Sequence, residues 1–285
     1  MDEQRITTFN NHEETFHLDH VIRQQEYSKS EHYHDSYEIY YLLQGTRLFF
    51  IHDRLYELTA GDLVFINSNE IHRTMENGCP GHERLVINFK ISFLEPYVED
   101  WPSIETFFIE KGHVIRLLEE EKLFIRVLFG QISSETTNCD TGYLSYLRAL
   151  LTKLLLFGVR RADRKQSSSA ELLAHPLDRK IIEIVRYINT HYPQTLSLDQ
   201  LSKSFYISSS YLCRSFRCVT GFSFIHYVNM TRVKETMRLL RYTDMKIIDI
   251  ANAVGFNNLT HFNRIFKTHT NISPKNYRKI QHSGL

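Results

Sequence analysis

The chain has 285 residues, with 34 Lys and Arg against 33 Asp and Glu, and a net charge of +1 at pH 7. This length accommodates two domains with separate hydrophobic cores. The four cysteines show neither CxxC nor zinc-ligand spacing, which argues against a disulfide framework or a zinc finger. The longest apolar run, Leu154 to Val159, is far shorter than the ~20 residues that span a bilayer. The polar start, Met1 to Gln4, does not resemble a signal peptide, so we expect a soluble, cytoplasmic protein.

The small net charge conceals an unequal distribution along the chain. Residues 178–285 contain 16 Lys and Arg against 6 Asp and Glu, a net charge of +10, whereas residues 1–177 contain 18 against 27, a net charge of −9. A basic segment joined to an acidic one indicates a module that faces nucleic acid and a second module with another role.

Residues from about Phe16 to Phe93 are predicted to form β-structure. Short runs rich in Tyr, Ile, Val, Phe and Leu alternate with turn residues such as Gly45 and Gly61. Several short strands at this spacing are typical of a sandwich or a small barrel. The best-defined predicted strands are Tyr37–Leu43, Arg47–Ile51, Leu55–Leu58, Leu63–Ile66 and Leu85–Phe89.

A set of polar side chains within this β-segment is a candidate site. His32, His34 and Glu38 have the same parity, so on one continuous strand they would share a face. With His72 they form a three-histidine, one-carboxylate set of the kind that holds Fe, Mn, Ni or Zn. The same groups and Tyr40 could instead bind a small effector through hydrogen bonds, or line the interior without a ligand. The tyrosines that could stack on a sugar ring are Tyr33, Tyr37, Tyr40 and Tyr41.

Two helices are predicted after the β-segment, over Val114–Ile132 and Gly142–Arg161. The second has leucines in a 3-4-3 pattern that is widened by two more. Such a stripe is explained by packing on the β-domain, and its width also favours a subunit interface, since two-fold dimers are the commonest oligomers. The leucines of the stripe are Leu144, Leu147, Leu150, Leu151, Leu154 and Leu155.

The polar, Ser-rich segment 162–177 is predicted to be a linker between a domain of residues 1–161 and a domain of residues 178–285. The second domain begins with a helix whose apolar face contains Ile181, Ile182, Val185 and Ile188. Pro193 ends that helix. Ser197 and Gln200 then have the spacing of a capping box for the next helix.

The second domain contains one helix-turn-helix pattern twice, at about 197–219 and 246–269. Arg214 and Arg264 differ by fifty positions, and the same offset relates several other pairs. Upstream of the turn the offset is 49, Leu201 against Ile250, so we expect one extra residue in the second turn. A period of this length indicates a duplicated supersecondary unit.

The second helix of each unit has the pattern of a DNA-recognition helix. Leu212 and Phe216 would be buried in the first copy, and Phe262 and Phe266 in the second. On the opposite faces Arg can contact guanine, Asn can contact adenine, and Arg or Lys further along can contact phosphate. The candidate DNA-binding residues are Ser210, Cys213, Arg214, Arg217, Asn258, Thr260, Asn263, Arg264 and Lys267.

The ends of these helices are repeated as well. Gly221 and Asn271 are expected to adopt the left-handed conformation that ends a helix, and Ser223 and Ser273 to cap the next one. Residues 223–242 are predicted to form one connecting helix of roughly 30 Å at 1.5 Å per residue. This approximates the ~34 Å between successive major-groove faces, so one chain could reach two adjacent segments of DNA.

These residues resemble the AraC/XylS family of bacterial transcription regulators over about 178–279. The resemblance departs mildly at His261, where Tyr is usual, and at Asn271, where Gly is usual. It implies binding to promoter DNA and, usually, activation through contact with RNA polymerase. The matching positions are Arg232, Leu239-Leu240, Ile250-Ala251, Gly255-Phe256, Phe262, Arg264, Phe266-Lys267, Ser273-Pro274 and Tyr277-Arg278.

The N-terminal segment is similar to the two cupin motifs, the first through His32, His34, Glu38 and Gly45, the second through Gly61-Asp62 and His72. Positions where it departs from them are Glu26, Asn67, Asn69 and Glu76. The resemblance implies an α+β protein with a cupin-like β-barrel and dimerisation helices, followed by an all-α double helix-turn-helix domain. By resemblance alone, the effector in the barrel would be a carbohydrate.

We therefore predict a dimeric, ligand-responsive transcription regulator without a catalytic residue and without a required cofactor. One alternative is a metal-dependent cupin enzyme fused to a helical domain. Another is that the helical domain docks onto protein, although its charge favours DNA.

Overall fold

The computed structural model describes residues 3–24, 34–78, 81–94, 99, 101–111, 114–164 and 176–283. The chain divides into an N-terminal unit, 1–51 with 56–172, and a C-terminal unit, 52–55 with 173–285. The first is rich in strands and the second is helical. Among the described residues, no helix is both long and apolar enough to cross a membrane.

The N-terminal unit, over its described residues, is built on two β-sheets. Its strands run in the order β1-β2-β8-β3-β6-β9 in a six-stranded sheet and β5-β4-β7 in a three-stranded sheet. The five strands predicted from the sequence are confirmed, each with bounds within three residues of the expected ones. The strands are β1 Glu3–Asn10, β2 Phe16–Arg23, β3 Tyr37–Gln44, β4 Thr46–Ile51, β5 Arg54–Thr59, β6 Asp62–Ile66, β7 His72–Glu76, β8 His82–Phe89 and β9 Val114–Arg116.

The large sheet buries both of its faces, because alternate residues of each strand point to opposite sides. On one face Ile39, Phe65 and Ile87 belong to a core that is shared with the helices. On the other face Tyr40 and Val86 belong to a second apolar cluster that includes residues of the small sheet. We call this second cluster, with the side chains that share its face, the inter-sheet layer.

The helices of this unit come after β8, and β9 lies between the second and the third of them. They are α1 Ile91–Leu94, α2 Trp101–Thr106 with a π-helical turn at Phe107–Lys111, α3 Glu119–Asn138 and α4 Tyr143–Arg164. The predicted helix start at Val114 is wrong, since Val114–Arg116 form β9, which pairs with β6. Helix α4 also continues three residues into the predicted linker, most of which lies outside the described residues.

The leucine stripe of α4 is buried within its own unit. Four of its leucines are fully buried in the core shared with the large sheet, and Leu150 in the same core is 4% exposed. The four are Leu147, Leu151, Leu154 and Leu155. The width that favoured a subunit interface in the sequence therefore has an explanation inside the unit.

Close packing between α4 and the sheet gives a testable expectation at Gly158. An added Cβ would lie 2.8 Å from Phe65 Cζ and 3.1 Å from Phe107 Cζ, both in fully buried rings. We expect Gly158→Ala to lower the free energy of unfolding by about 1–2 kcal/mol, because overpacking outweighs the gain in helix propensity. Gly130→Ala on α3, where nothing lies within 4 Å, should instead raise it by about 0.5–1 kcal/mol. Denaturant unfolding of both variants checks this, and equal effects would contradict the packing argument.

The described part of the C-terminal unit contains seven helices. Helix α8 contacts α7, α9, α10 and α11 and thus joins the two predicted helix-turn-helix units. The apolar face predicted for the first helix is confirmed, since Ile181, Ile182, Val185 and Ile188 are buried. The helices are α5 Pro176–His191, α6 Leu198–Ser204, α7 Ser209–Thr220, α8 Phe224–Tyr242, α9 Ile247–Ala253, α10 Leu259–Thr270 and α11 Pro274–Ser283.

Candidate DNA-binding surface and effector site

The two helix-turn-helix units, α6–α7 and α9–α10, have the repeated geometry that the sequence predicts. Helices α7 and α10 are both 12 residues long and begin fifty positions apart. Each ends at a left-handed residue, Gly221 at φ 78° and Asn271 at φ 61°. The hydroxyls of Ser223 and Ser273 accept hydrogen bonds from the first turns of α8 and α11. The predicted helix ends and caps are therefore confirmed in both copies.

The two recognition helices each have one buried and one exposed face. Leu212 and Phe216 of α7, like Phe262 and Phe266 of α10, are fully buried. All of the candidate DNA-binding residues are exposed. Asn258 also has a structural role, because its side-chain oxygen accepts a hydrogen bond from the His261 N–H at 2.9 Å and caps α10. Its counterpart in the first copy, Ser208, caps α7 in the same way.

The turns of the two units differ by one residue, as the sequence predicts. Four residues separate α6 from α7, and five separate α9 from α10. The first turn places Tyr206 in the left-handed region at φ 54°, and the second places Gly255 there at φ 93°. An added Cβ on Gly255 would lie 2.5 Å from the Pro193 carbonyl oxygen, so the second turn closely approaches the backbone after α5.

Arg232 on α8 holds that backbone segment in place. Its Nε donates to the Tyr192 carbonyl at 2.9 Å, and its Nη2 donates to the Gln194 carbonyl at 2.8 Å. Its guanidinium also lies 5.4 Å from the centre of the Phe256 ring. In the sequence Arg232 is visible only through the family resemblance. The contacts give it the role of fixing the second turn, and thereby the position of α10.

A histidine pair connects α8 to α10 and predicts a pH dependence. The rings of His226 and His269 are 5.1 Å apart. Burial, assisted by the charge of His226, lowers the pKa of His269 from 6.5 to about 4. In the unfolded chain His269 is therefore protonated near pH 6.5, whereas in the folded protein its protonation requires a lower pH. We expect the stability present above pH 6.5 to fall by about 1–2 kcal/mol between pH 6.5 and 4, after discounting for solvent screening. Chemical unfolding of His269→Gln should show a smaller loss over that interval, and identical pH profiles would contradict the assignment.

The polar cluster of the N-terminal unit brings together three of the predicted residues. Glu38 Oε2 lies 3.1 Å from His34 Nε2 and 3.7 Å from His72 Nε2. Asn88, opposite Glu38 in the β3–β8 pairing, donates to the same oxygen at 3.1 Å. Sequence reasoning missed Asn88, although its alternation with Val86 on one strand places it on the same face.

The strand geometry predicted for this cluster is only partly correct. Strand β3 begins at Tyr37, so His34 lies before the strand and reaches Glu38 from a bend, not from a continuous strand. His32 and Tyr33 lie outside the described residues. Of the remaining tyrosines, Tyr40 faces the inter-sheet layer, whereas Tyr37 and Tyr41 belong to the opposite core. Of these candidates, Tyr40 is therefore the one that a ligand in that layer could contact.

The ring nitrogens of both histidines are arranged for ligand binding. Nδ1 of His34 is 2.9 Å from the Ser36 carbonyl, and Nδ1 of His72 is 2.8 Å from the Glu70 carbonyl. The Nε2 atom of each histidine therefore faces Glu38. Metal-binding histidines have the same arrangement, in which one ring nitrogen binds the metal and the other donates a hydrogen bond to a carbonyl. One ligand atom from each of His34, Glu38 and His72 can lie within 4.8 Å of the others, which suits a divalent transition metal.

The electrostatics of the cluster favour a charged pair. Burial alone would lower the pKa of His34, but the hydrogen bond and negative charge of Glu38 outweigh it and raise that pKa. Burial alone would raise the pKa of Glu38, but hydrogen bonds from His34 and His72 hold it well below its usual value. Glu38 is therefore an ionised acceptor, able to receive hydrogen bonds from a ligand or to coordinate a cation.

Comparison with known protein families accounts for both units. Residues 20–150 match the AraC-like ligand-binding domain, and residues 201–280 match a helix-turn-helix domain. The chain belongs to the AraC family of transcription regulators. Its two units correspond to a ligand-binding domain and a helix-turn-helix domain.

Curated relatives agree with this assignment. The chain is 26% identical over 265 residues to an HTH-type transcriptional regulator of Staphylococcus aureus strain COL, covering 91% of this chain and 34% of that protein. It is 26% identical over 268 residues to the HTH-type transcriptional regulator YdiP of Escherichia coli K12, covering 89% and 82%. The chain thus spans about a third of the length of the staphylococcal relative. Among solved structures, ToxT of Vibrio cholerae matches at 16% identity and a TM-score of 0.40, over 96% of this chain and 99% of that one.

Proposed function

We propose that this regulator binds a specific promoter sequence through both recognition helices of one chain. The observation that supports this most directly is the matched pair α7 and α10, with Arg214 and Arg264 exposed at equivalent positions. Arg214, Arg264 and Asn263 would read bases, and Arg217 and Lys267 would contact phosphates. Helix α8, 19 residues long, spans roughly 28 Å between the two units at 1.5 Å per residue.

The effector site that we propose is the inter-sheet layer around His34, Glu38, His72 and Tyr40, with His32 as a further candidate. These groups offer hydrogen-bond donors and acceptors beside apolar walls, the usual composition of a small-molecule site. Tyr40 and Phe49, whose rings are 5.2 Å apart, supply aromatic surface for a sugar ring. A carbohydrate is the effector that we propose for this site.

A bound divalent metal is the second candidate for the same residues. It is favoured by the spacing of the ligand atoms of His34, Glu38 and His72, which lie within 4.8 Å of one another. In a regulator such an ion would bind the effector or stabilise the fold.

We further propose that the protein acts in the cytoplasm as a homodimer and contacts RNA polymerase at the promoter. An open groove of about 730 Å³ between α3 and α4 presents Phe124, Ala149, Leu156 and Phe157, which a second copy could cover. Effector binding would then change the arrangement of two DNA-binding modules, a coupling between separate sites.

Selection of bound sequences from a random DNA pool, followed by titration at several salt concentrations, tests the DNA-binding proposal. We expect one preferred sequence and an affinity that falls steeply with salt, in proportion to the phosphates contacted. Binding without sequence preference would refute specific recognition, and absence of binding would favour a protein-docking role.

Native mass spectrometry with elemental analysis of the same sample tests the effector site. A small organic ligand without stoichiometric metal supports the effector proposal. One transition metal per chain that is lost in His34→Ala would instead assign His34, Glu38 and His72 as a metal site.

A further inference from the structure

The exposed face of each recognition helix is wider than the set of candidate DNA-binding residues. Successive residues of an α-helix are about 100° apart around its axis. On α7 the buried Leu212 and Phe216 lie about 160° to either side of Arg214, so Arg214 is at the middle of the exposed face. Ser210 and Arg217 lie about 40° and 60° to one side of it. The candidate residues of α7 therefore cover the middle and one flank of that face.

The other flank carries Tyr211 and Cys218 on α7, and His261 and Thr268 at the equivalent positions of α10. All four side chains are exposed, Tyr211 to 41%. Tyr211 and His261 lie about 60° from the central arginine of their helix, closer than Cys213 at about 100°. Each is the third residue of a 12-residue helix. Because the first residues of a recognition helix enter the groove, Tyr211 and His261 are the members of this flank that would lie nearest to the DNA.

Both side chains are chemically suited to contact a phosphate. A phenol has one O–H donor and an imidazole has at least one N–H donor. Tyrosine is among the side chains that donate hydrogen bonds to the phosphate oxygens of DNA. The His261 ring is 5.8 Å from the ring of the buried Phe256 at an interplanar angle of 86°, and the Arg232 guanidinium lies over the same Phe256 ring. His261 therefore packs against the turn that Arg232 fixes.

The dimensions of the major groove give this flank a partner. The groove is about 12 Å wide, and an α-helix with its side chains is about 10–12 Å in diameter. A recognition helix in the groove therefore reaches both of its walls, and each wall is the phosphate backbone of one strand. Since Arg217 and Lys267 are proposed to contact one wall, residues on the opposite flank of the same helices face the other wall.

We propose that Tyr211 and His261 form a third matched pair of DNA contacts, each donating a hydrogen bond from its ring to a phosphate. In each groove this phosphate belongs to the strand opposite to the one that the same helix contacts through Arg217 or Lys267. Phosphate contacts on both walls fix the helix laterally and place its central arginine over the base edges. This inference rests on the proposed DNA binding and adds to it two residues from outside the candidate set.

Substitution by phenylalanine tests the pair, because it removes the donor and keeps the ring. We expect Tyr211→Phe and His261→Phe, in the full chain, each to weaken binding to the selected DNA sequence about three- to tenfold, the effect of losing one hydrogen bond. The loss should be the same on every single-base variant of that sequence, because phosphate contacts carry no base preference. Tyr206→Phe is the matched control. Tyr206 is 91% exposed in the turn before α7, and its substitution should leave the affinity unchanged.

Replacement of single phosphates by neutral methylphosphonates, along both strands of the selected duplex, locates the contacts. We expect the wild type to lose affinity at one phosphate that no longer has an effect on Tyr211→Phe. A second such phosphate, about 10 base pairs away, should no longer have an effect on His261→Phe. In each segment it should lie on the strand opposite to the phosphate that loses its effect in Arg217→Ala or Lys267→Ala.

Unchanged affinity in either phenylalanine variant, an equal loss in Tyr206→Phe, or a changed base preference would overturn the inference. Sensitive phosphates on the same strand as those of Arg217 or Lys267 would overturn it as well. Any of these results, with a wild type that still selects one DNA sequence, would leave the proposed DNA binding intact. A wild type that binds no DNA sequence specifically would refute the proposed function and this inference together.

Discussion

Replacing Gly255 with alanine should destabilise the C-terminal unit by about 3 kcal/mol and abolish DNA binding at temperatures where the wild type binds. Gly255 lies in the second helix-turn-helix turn at φ 93°, a conformation that alanine avoids. The added Cβ would also lie 2.5 Å from the carbonyl oxygen and 2.8 Å from the carbonyl carbon of Pro193. Because Arg232 holds this backbone segment through Tyr192 and Gln194, the segment cannot move away without breaking those hydrogen bonds.

Gly142→Ala separates backbone strain from the steric overlap. Gly142 has a similar φ of 86°, but nothing lies within 4 Å of the position its Cβ would take. We expect this control to cost about 1 kcal/mol, the strain alone. Calorimetry that resolves the two units checks both values. An equal loss of stability in the two variants would show that the close approach of residue 255 to Pro193 does not affect stability.

Arg264→Ala should weaken binding to the selected DNA sequence by about 1–3 kcal/mol, a factor of roughly 5 to 150, and relax the preference at one base position. Arg264 is exposed on α10, opposite the buried Phe262 and Phe266, and it forms no ion pair with any residue that the structure describes. Its substitution should therefore leave the free energy of unfolding nearly unchanged. Titration of a set of single-base variants of the selected sequence measures the effect.

Lys267→Ala is the matched control on the same helix. If Lys267 contacts phosphate, its loss should weaken binding to all sequences alike and reduce the salt slope by about one unit. An equal loss on every sequence for Arg264→Ala would show that Arg264 also contacts phosphate and does not read a base.

The duplicated C-terminal unit was predictable because its signals are local. The sequence alone shows the offset of fifty between Arg214 and Arg264 and the extra residue in the second turn. It also shows the helix-ending residues Gly221 and Asn271, and the structure has all of these features. Capping and helical periodicity depend on neighbours within one or two turns, so the sequence determines them directly.

The N-terminal unit was less predictable where pairing between distant segments decides the structure. Val114–Arg116 was assigned to the helix that follows it, although Val and Ile favour strands, and it forms a strand at the edge of β6, with Leu63 opposite Ile115. The first strand, Glu3–Asn10, was not anticipated at all, and it is ordered by its pairing with β2. In both cases the strand is identified by its pairing partner, which is distant in the sequence.

The same limit applies to the candidate effector site. His34, Glu38 and His72 were found from residue type and spacing, but Asn88 joins them only because β8 pairs with β3.

Hydroxyl-radical footprinting on the selected DNA sequence, with the chain-to-DNA ratio fixed by native mass spectrometry, tests the central claim that one chain reads DNA with two matched units. We expect two protected segments per bound chain, about 10 base pairs apart on one face of the duplex. Arg214→Ala should change base preference in one segment and Arg264→Ala in the other. A single protected segment per chain, or changes at the same base position in both variants, would contradict the claim.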